Sequence, residues 1–182
     1  MKSEPMAELL RFDVLNLGCG RKHLPAAINL DVTTATGPDV VHDLNVRPWP
    51  FPENHFREIH AYDVIEHLDD LILTVEEMHR ISRPGGIVRI TVPHFSSANA
   101  FTDPTHRHFF SASSFNYFTN ASELSFYSKA RFVVRSNRIF FYPSLMNKLV
   151  WRLANRYPVA YEQRWTWIFP AWFLQFELEV VK

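Results

Sequence analysis

Short apolar blocks, broken by glycine, proline and acids, run through the first half of the chain. Val14 to Leu17 is apolar apart from Asn16 and ends in Gly18-Cys19-Gly20. Ala27 to Val32 and Asp39 to Leu44 are two further runs, each carrying an acid near its end. Glu58 to Ile65 is a fourth. Such short bounded runs read as strands. The period then changes. Between Asp69 and Ser82, Leu71, Val75, Met78 and Ile81 recur at helical spacing, and Arg83-Pro84-Gly85-Gly86 ends the helix. Ile87 to Val92 is a fifth strand. Strands joined by crossovers predict an α/β fold with a mostly parallel sheet and helices on both faces. Ligands of such sheets gather at the carboxyl ends of the strands.

The second half is less regular. Ser111 to Phe118 reads as a short helix with a serine cap. Arg131 to Phe141 alternates partly and predicts a sixth strand, and the alternation from Phe176 to Val181 predicts a seventh. Between them, Ser144 to Arg156 predicts an amphipathic helix. Leu145, Leu149 and Leu153 share one face, and Lys148, Arg152 and Arg156 share another. The expected organisation is a single domain over 1–182, with an aromatic, basic insert at 143–170 before the last strand.

Charge and composition sharpen that division. The chain has 19 basic and 19 acidic side chains, which argues against a protein built to coat nucleic acid. The balance hides a local asymmetry, however: residues 129–164 hold eight basic side chains and one acid, Glu162. Phe12, Trp49, Phe51, Phe56 and Tyr62 are the only aromatics before residue 95. A single cysteine, Cys19, excludes a disulfide framework and fits a reducing, cytoplasmic setting. Glu4, Pro5 and Glu8 interrupt the N-terminal stretch, so no secretory signal is expected. The run Trp165 to Phe176 is shorter than the roughly 20 apolar residues that span a bilayer.

The strand ends carry the candidate chemistry. Glycines at Gly18 and Gly20 allow a ligand to approach the backbone. Asp31, at the end of the second strand, is placed to accept hydrogen bonds from ribose hydroxyls. Asp43 lies at the end of the third, and Asp63 followed by Glu66-His67 at the end of the fourth. Cys19 reads as a packed thiol, Asp43 also as a turn cap, and Glu66 and His67 also as the start of the following helix.

The ordered segments VLNLGCG (14–20), NLD (29–31), HDLN (42–45), DVIEHLDD (63–70) and EEMHRISRPGGIVRITVPH (76–94) resemble the class I S-adenosylmethionine-dependent methyltransferases, type 11 in particular. The likeness covers about residues 12–95. It implies a Rossmann-like, mostly parallel seven-stranded sheet with an antiparallel last strand. It also implies S-adenosylmethionine as cofactor, with Asn16, Gly18, Cys19 and Gly20 along the methionine part and Asp31 and Val32 at the ribose. Asp43 and Leu44 would meet the adenine, and Tyr62, Asp63 and His67 the sulfonium. Two features depart from the pattern. Asn16 stands where an acid is usual, and Arg21-Lys22-His23 replaces a third glycine. With residues 21–30 alone between Gly20 and Asp31, the first crossover is expected to be shortened to a turn. The resemblance is closest to a short-looped branch associated with surface sugars.

After the fifth strand come His94 and then Asp103, His106 and His108. A hydroxyl or amine acceptor must lose a proton, and histidine suits that near neutral pH. His94, His106 and His108 are therefore the catalytic candidates, with Asp103 as an orienter. His-x-His could instead hold a metal with Asp103 or His94; the loop is read as serving the acceptor, with no metal assigned. The leading expectation is methyl transfer to an oxygen or nitrogen of a small-molecule or glycan-like acceptor. The alternatives are a cofactor-binding protein without turnover, or a metal-dependent hydrolase centred on His94, His106 and His108. Nucleic acid is not the expected partner. The basic insert reads as a core-facing helix, a contact for a membrane or lipid-linked acceptor, or a homodimer interface.

Overall fold

The computed structural model describes residues 6–182, apart from the side chains of Leu145 and Met146. Glu4 and Pro5 lie outside the described residues. A short helix, α1 (Met6–Leu9), precedes β1 (Val14–Leu17) and β2 (Ile28–Asp31). β3 shrinks to Val40–Val41, because His42 and Asp43 already enter a turn in which Asp43 Oδ1 accepts the Asn45 N–H at 2.9 Å. β4 (Phe56–Tyr62) leads through a 3-10 turn to α2 (Leu71–Ile81) and β5 (Ser82–Pro93). A one-turn helix, α3 (Asn99–Thr102), precedes β6 (Arg131–Phe140), α4 (Leu145–Arg156), α5 (Pro158–Arg164) and β7 (Phe173–Val181).

The seven strands form one sheet in the order β3-β2-β1-β4-β5-β7-β6. β1 to β5 are parallel, and β7 runs antiparallel between β5 and β6. The first crossover is a turn, as expected. No α-helix joins β1 to β2, β2 to β3 or β3 to β4; a 3-10 turn at Thr34–Thr36 is the only helical piece there. Prolines at 25, 38, 48, 50 and 52 stand in those short connections and oppose helix.

Register explains where the core lies. Leu15 pairs with Ile28 and Ile59, Ile59 with Val88, and Val88 with Leu178. Leu17, Leu30, Ala61, Ile90 and Phe176 form a second row in the same way. Because strand side chains alternate, these rows share one face, and all their members are buried. Val75, Met78 and Ile81 of α2 join the same core, as do Trp49, Phe51 and the aromatics Phe110, Phe115 and Phe118. The opposite face carries the row Asn29, Asn16, His60, Arg89 and Glu177.

α2 begins one residue past its cap, Asp70, whose side chain accepts the Leu73 N–H at 2.9 Å. It pins the loop before β4: Glu77 accepts the Trp49 N–H at 2.8 Å, and Arg80 donates to the Trp49 and Phe51 carbonyls. The 3-10 segment Ser114–Phe118 occupies the region read as a serine-capped helix, but no side chain caps it. The insert helix α4 is present and Ser144 caps it, accepting the Asn147 N–H. Leu149 and Leu153 do not face the core. Leu149 is 65% and Leu153 56% exposed, whereas Ala154 is buried. The inward register follows Asn155, whose amide accepts the Ile139 N–H and donates to the Ile139 C=O. It therefore occupies the outer edge of β6 as a strand partner would.

Candidate active site

The glycine turn after β1 is built for close packing and for a ligand at different residues. Gly18 has φ +58° and Gly20 φ +50°. A Cβ on Gly18 would lie 2.4 Å from Val64 Cγ2, so that glycine lets the end of β1 pack on the end of β4. A Cβ on Gly20 would meet nothing within 4 Å, so the space above it is open. The Gly20 N–H donates to Asp31 Oδ2 at 2.8 Å, and the Thr33 N–H to Oδ1 at 3.2 Å. Asp31 is 8% exposed. Each carboxylate oxygen accepts more than one hydrogen bond, so the side chain keeps acceptor capacity toward the open space.

Asn16 serves the turn rather than a ligand. It is buried and donates to the Lys22 carbonyl and to Asn29 Oδ1, both at 3.0 Å. Asn29 in turn accepts the Leu24 N–H and donates to Asp39. This network holds the shortened crossover without a helix, which gives the amide at position 16 its purpose. Cys19 is buried, and burial together with the Asp31 and Asp39 charges pushes its thiol up to about 11. It stays protonated and is no nucleophile. Val32 is exposed just beyond β2. The His42 N–H donates to the Asp31 carbonyl, which sets the exposed Asp43 close by. Leu44 packs in the core, and its carbonyl accepts the Trp49 indole N–H. Tyr62 meets His60 Nδ1 through its hydroxyl at 2.6 Å.

The histidines expected to act together are separated. His94 is 0% exposed and fully used. Its Nδ1 accepts the Ser96 N–H at 3.1 Å, and its Nε2–H donates to Glu162 Oε1 at 3.2 Å. Glu162 Oε1 also accepts the Ala112 N–H at 2.6 Å. His94 therefore fastens the end of β5 to α5 and to the segment after Phe110, and it does not face a ligand. His108 donates from Nε2 to the Leu68 carbonyl at 2.8 Å and is likewise a fastening. His106 alone of the three lines a cavity of about 570 Å³, at the carboxyl ends of β4 and β5.

Asp63, Glu66, His67 and Asp103 line the same cavity. The His67 and His106 rings lie 4.6 Å apart, edge to face. His106 Nδ1–H donates to the Ala100 carbonyl at 3.1 Å. The Thr105 hydroxyl donates to Asp103 Oδ1 at 2.7 Å, so its oxygen accepts His67 Nδ1–H, also at 2.7 Å. Asp103 is thus an orienter, acting through Thr105 on His67 rather than on the histidine that follows. The Thr105 hydroxyl and N–H bonds hold the Asp103 carboxyl below the usual range. Burial, then the neighbouring His106, lowers the pKa of His67. Asp63, with φ +56°, is exposed at one edge, yet the cavity walls raise its carboxyl against the charges of Lys22 and His106.

Glu66 is the residue that the sequence reading left out of the site. It is 1% exposed, and neither carboxylate oxygen has a hydrogen-bond partner among the described residues. Burial, with Asp63 and Asp103 nearby, pushes its carboxyl up to about 8. The Glu66-His67 pair at a strand end was the available signal, but helix capping explained it equally well. Thr105 gave no signal, since its role depends on a contact 38 residues away.

A family model described as a methyltransferase domain matches residues 4–124, more than half of the chain. The chain belongs to this methyltransferase family. Its fold is shared with an S-adenosylmethionine-dependent methyltransferase from Archaeoglobus fulgidus, at TM-score 0.62 and 17% identity, over 95% of this chain and 91% of that one. A methyltransferase from Mesorhizobium loti aligns at TM-score 0.57 and 15% identity, over 92% and 90% of the two chains. Phosphoethanolamine N-methyltransferase 2 from Haemonchus contortus, solved with S-adenosyl-L-methionine, aligns at TM-score 0.57 and 14% identity, over 97% of this chain and 51% of that one. No curated protein sequence matches the chain. S-adenosylmethionine is the cofactor of this class, and the methyltransferase has residues that fit it. The open space above Gly20 lies beside the Asp31 carboxylate, at the strand ends where such sheets bind ligands.

Proposed function

We propose that the enzyme methylates an oxygen or nitrogen of a small-molecule or glycan-like acceptor, held in the cavity between the ends of β4 and β5. Bound S-adenosylmethionine supplies an electrophilic methyl group on a sulfonium. Asp31 would hold its ribose, and the Gly18–Gly20 turn would lie along its methionine part. The protein's further work is to position the acceptor and to receive its proton. The cavity carries Asp63, Glu66, His67 and His106 for that purpose. A hydrolase built on His94, His106 and His108 is set aside, because two of the three are consumed as structural donors or acceptors.

One observation carries the acceptor class. The cavity shares Asp63 and Phe173 with a neighbouring one of about 520 Å³. That one shares Phe141 and Pro143 with a third, of about 590 Å³, lined by Lys148 and Arg152. The chain of cavities suits an elongated acceptor with its reacting group near His67 and an anionic group near the two cations. Calorimetry should show S-adenosylhomocysteine binding to the intact protein. Losing a charge-assisted hydrogen bond costs about 1.5–3 kcal/mol, so Asp31→Asn should bind it roughly 10- to 150-fold more weakly. No binding to the intact protein, or equal binding to the variant, would sink the cofactor assignment.

The insert favours an acceptor presented at a membrane. No helix among the described residues is long and apolar enough to cross one. The exposed Leu149 and Leu153 nevertheless stand beside exposed Lys148, Arg152 and Arg156, with Trp165, Trp167 and Ile168 exposed further along the insert. Apolar side chains flanked by cations suit an anionic surface. Each cation contributes about 1 kcal/mol there, and salt weakens it as the Debye length falls from about 10 Å at 0.1 M to about 3 Å at 1 M. Co-sedimentation with anionic vesicles should be salt-sensitive and lost when all three cations become Gln. Indifference of the intact protein to anionic vesicles at low salt would leave a freely diffusing anionic acceptor as the better account.

A further inference from the structure

We propose that Glu66, His67 and His106 form a site for a divalent transition cation, which holds an oxygen of the acceptor. Among the described residues, one ligand atom from each of the three lies within 4.8 Å of the other two. Two imidazoles and a carboxylate are a donor set used by zinc and by other first-row divalent ions.

Hydrogen bonding prepares both rings for this role. Nδ1–H of His106 is committed to the Ala100 carbonyl, and Nδ1–H of His67 to the Thr105 hydroxyl. With Nδ1 as the donor in each ring, Nε2 is the nitrogen left for a metal. The chain from Asp103 through Thr105 to His67 is the outer-shell support that metal-bound histidines ordinarily have. The third member is a carboxylate buried to 1% exposure with both oxygens unpartnered. An unpaired buried carboxylate is costly, and a cation removes that cost. A salt bridge does not supply it: no cationic side chain pairs with Glu66 among the described residues. The cavity opens on the three residues, so positions not taken by protein remain for an acceptor oxygen.

The occupant class, an acceptor hydroxyl or carboxylate, rests on the methyl-transfer reading; the cation site does not. The test uses the full chain, freed of metal with a chelator and dialysed against Zn²⁺ or Mn²⁺ alone. Elemental analysis and, for Mn²⁺, electron paramagnetic resonance give occupancy. Saturable binding of at least one of these ions is expected. It should be lost in both Glu66→Gln and His106→Gln, and weakened about 10- to 100-fold by Thr105→Val, which removes the hydroxyl that links Asp103 to His67. His23→Gln, at an exposed histidine outside the cluster, should leave it unchanged. Urea midpoints of every variant show that the fold persists. S-adenosylhomocysteine binding, measured on the same samples, tests the methyltransferase reading separately. Failure of both ions to bind the intact protein, or binding that survives Glu66→Gln and His106→Gln, overturns the site whatever the cofactor result.

Discussion

Glu66→Gln is expected to make the metal-free protein more stable at pH 8, by about 2–4 kcal/mol, while changing it by less than about 1 kcal/mol at pH 5. The sign follows from burial. The Glu66 carboxyl is raised from 4.5 to about 8 in the folded protein. Between those values the unfolded chain has released the proton and the folded chain retains it. Folding then binds a proton, so stability falls as pH rises through the window and levels off above it. Gln removes the ionisation while keeping shape and polarity. Urea unfolding of both proteins at the two pH values isolates this group, because every other titration is common to them. A variant less stable at both values would mean that the carboxylate is ionised and paired in place, the ordinary structural arrangement. A stabilising change at a buried polar residue instead marks a group kept for binding rather than for the fold.

Glu162→Ala should have the largest destabilising effect, about 2–5 kcal/mol, since it leaves two inward-pointing donors unpaired at about 1–3 kcal/mol each. These are His94 Nε2–H, on a side chain with no exposure, and the Ala112 N–H. One carboxylate joins the end of β5, the segment after Phe110 and α5, so its loss loosens α5 there, while Asn155 still ties α4 to the edge of β6. Glu162→Gln retains an acceptor oxygen and should recover most of the loss. Cofactor binding should persist in both variants under conditions where they are folded, because Asp31 and Gly20 lie at other strand ends. If Glu162→Ala left the urea midpoint unchanged but abolished methyl transfer, His94 would regain the catalytic role that its place in the sequence suggested.

The contrast between His94 and His106 shows where sequence reading ended. Both follow the fifth strand, and both are histidines near an acid. α5, which Pro158 starts and the periodicity did not predict, brings Glu162 onto His94 and onto His94 alone of the two. Similarly, helical spacing put Leu149 and Leu153 on one stripe of α4 but could not tell which stripe faces inward. The Asn155 contact with the β6 edge decides that, and it turns both leucines outward. β5 also starts earlier than its apolar run, because Ser82 pairs with Phe56 before a register shift at the proline and glycines.

What the sequence by itself determined are the features carried by local pattern. The short runs ending in Gly20, Asp31 and Asp63, the α2 period and the missing length between Gly20 and Asp31 specify a parallel sheet with its ligand end and a helix-free first crossover. Each depends on neighbours within a few residues, where side-chain period and chain reach act directly. The tertiary structure alone decided which titratable groups meet. Glu66 and His67 reach His106 across a loop, Thr105 turns the His67 ring, and burial leaves Glu66 without a partner. Desolvation and hydrogen-bond pairing arise from groups distant in the chain, so no local spacing encodes them.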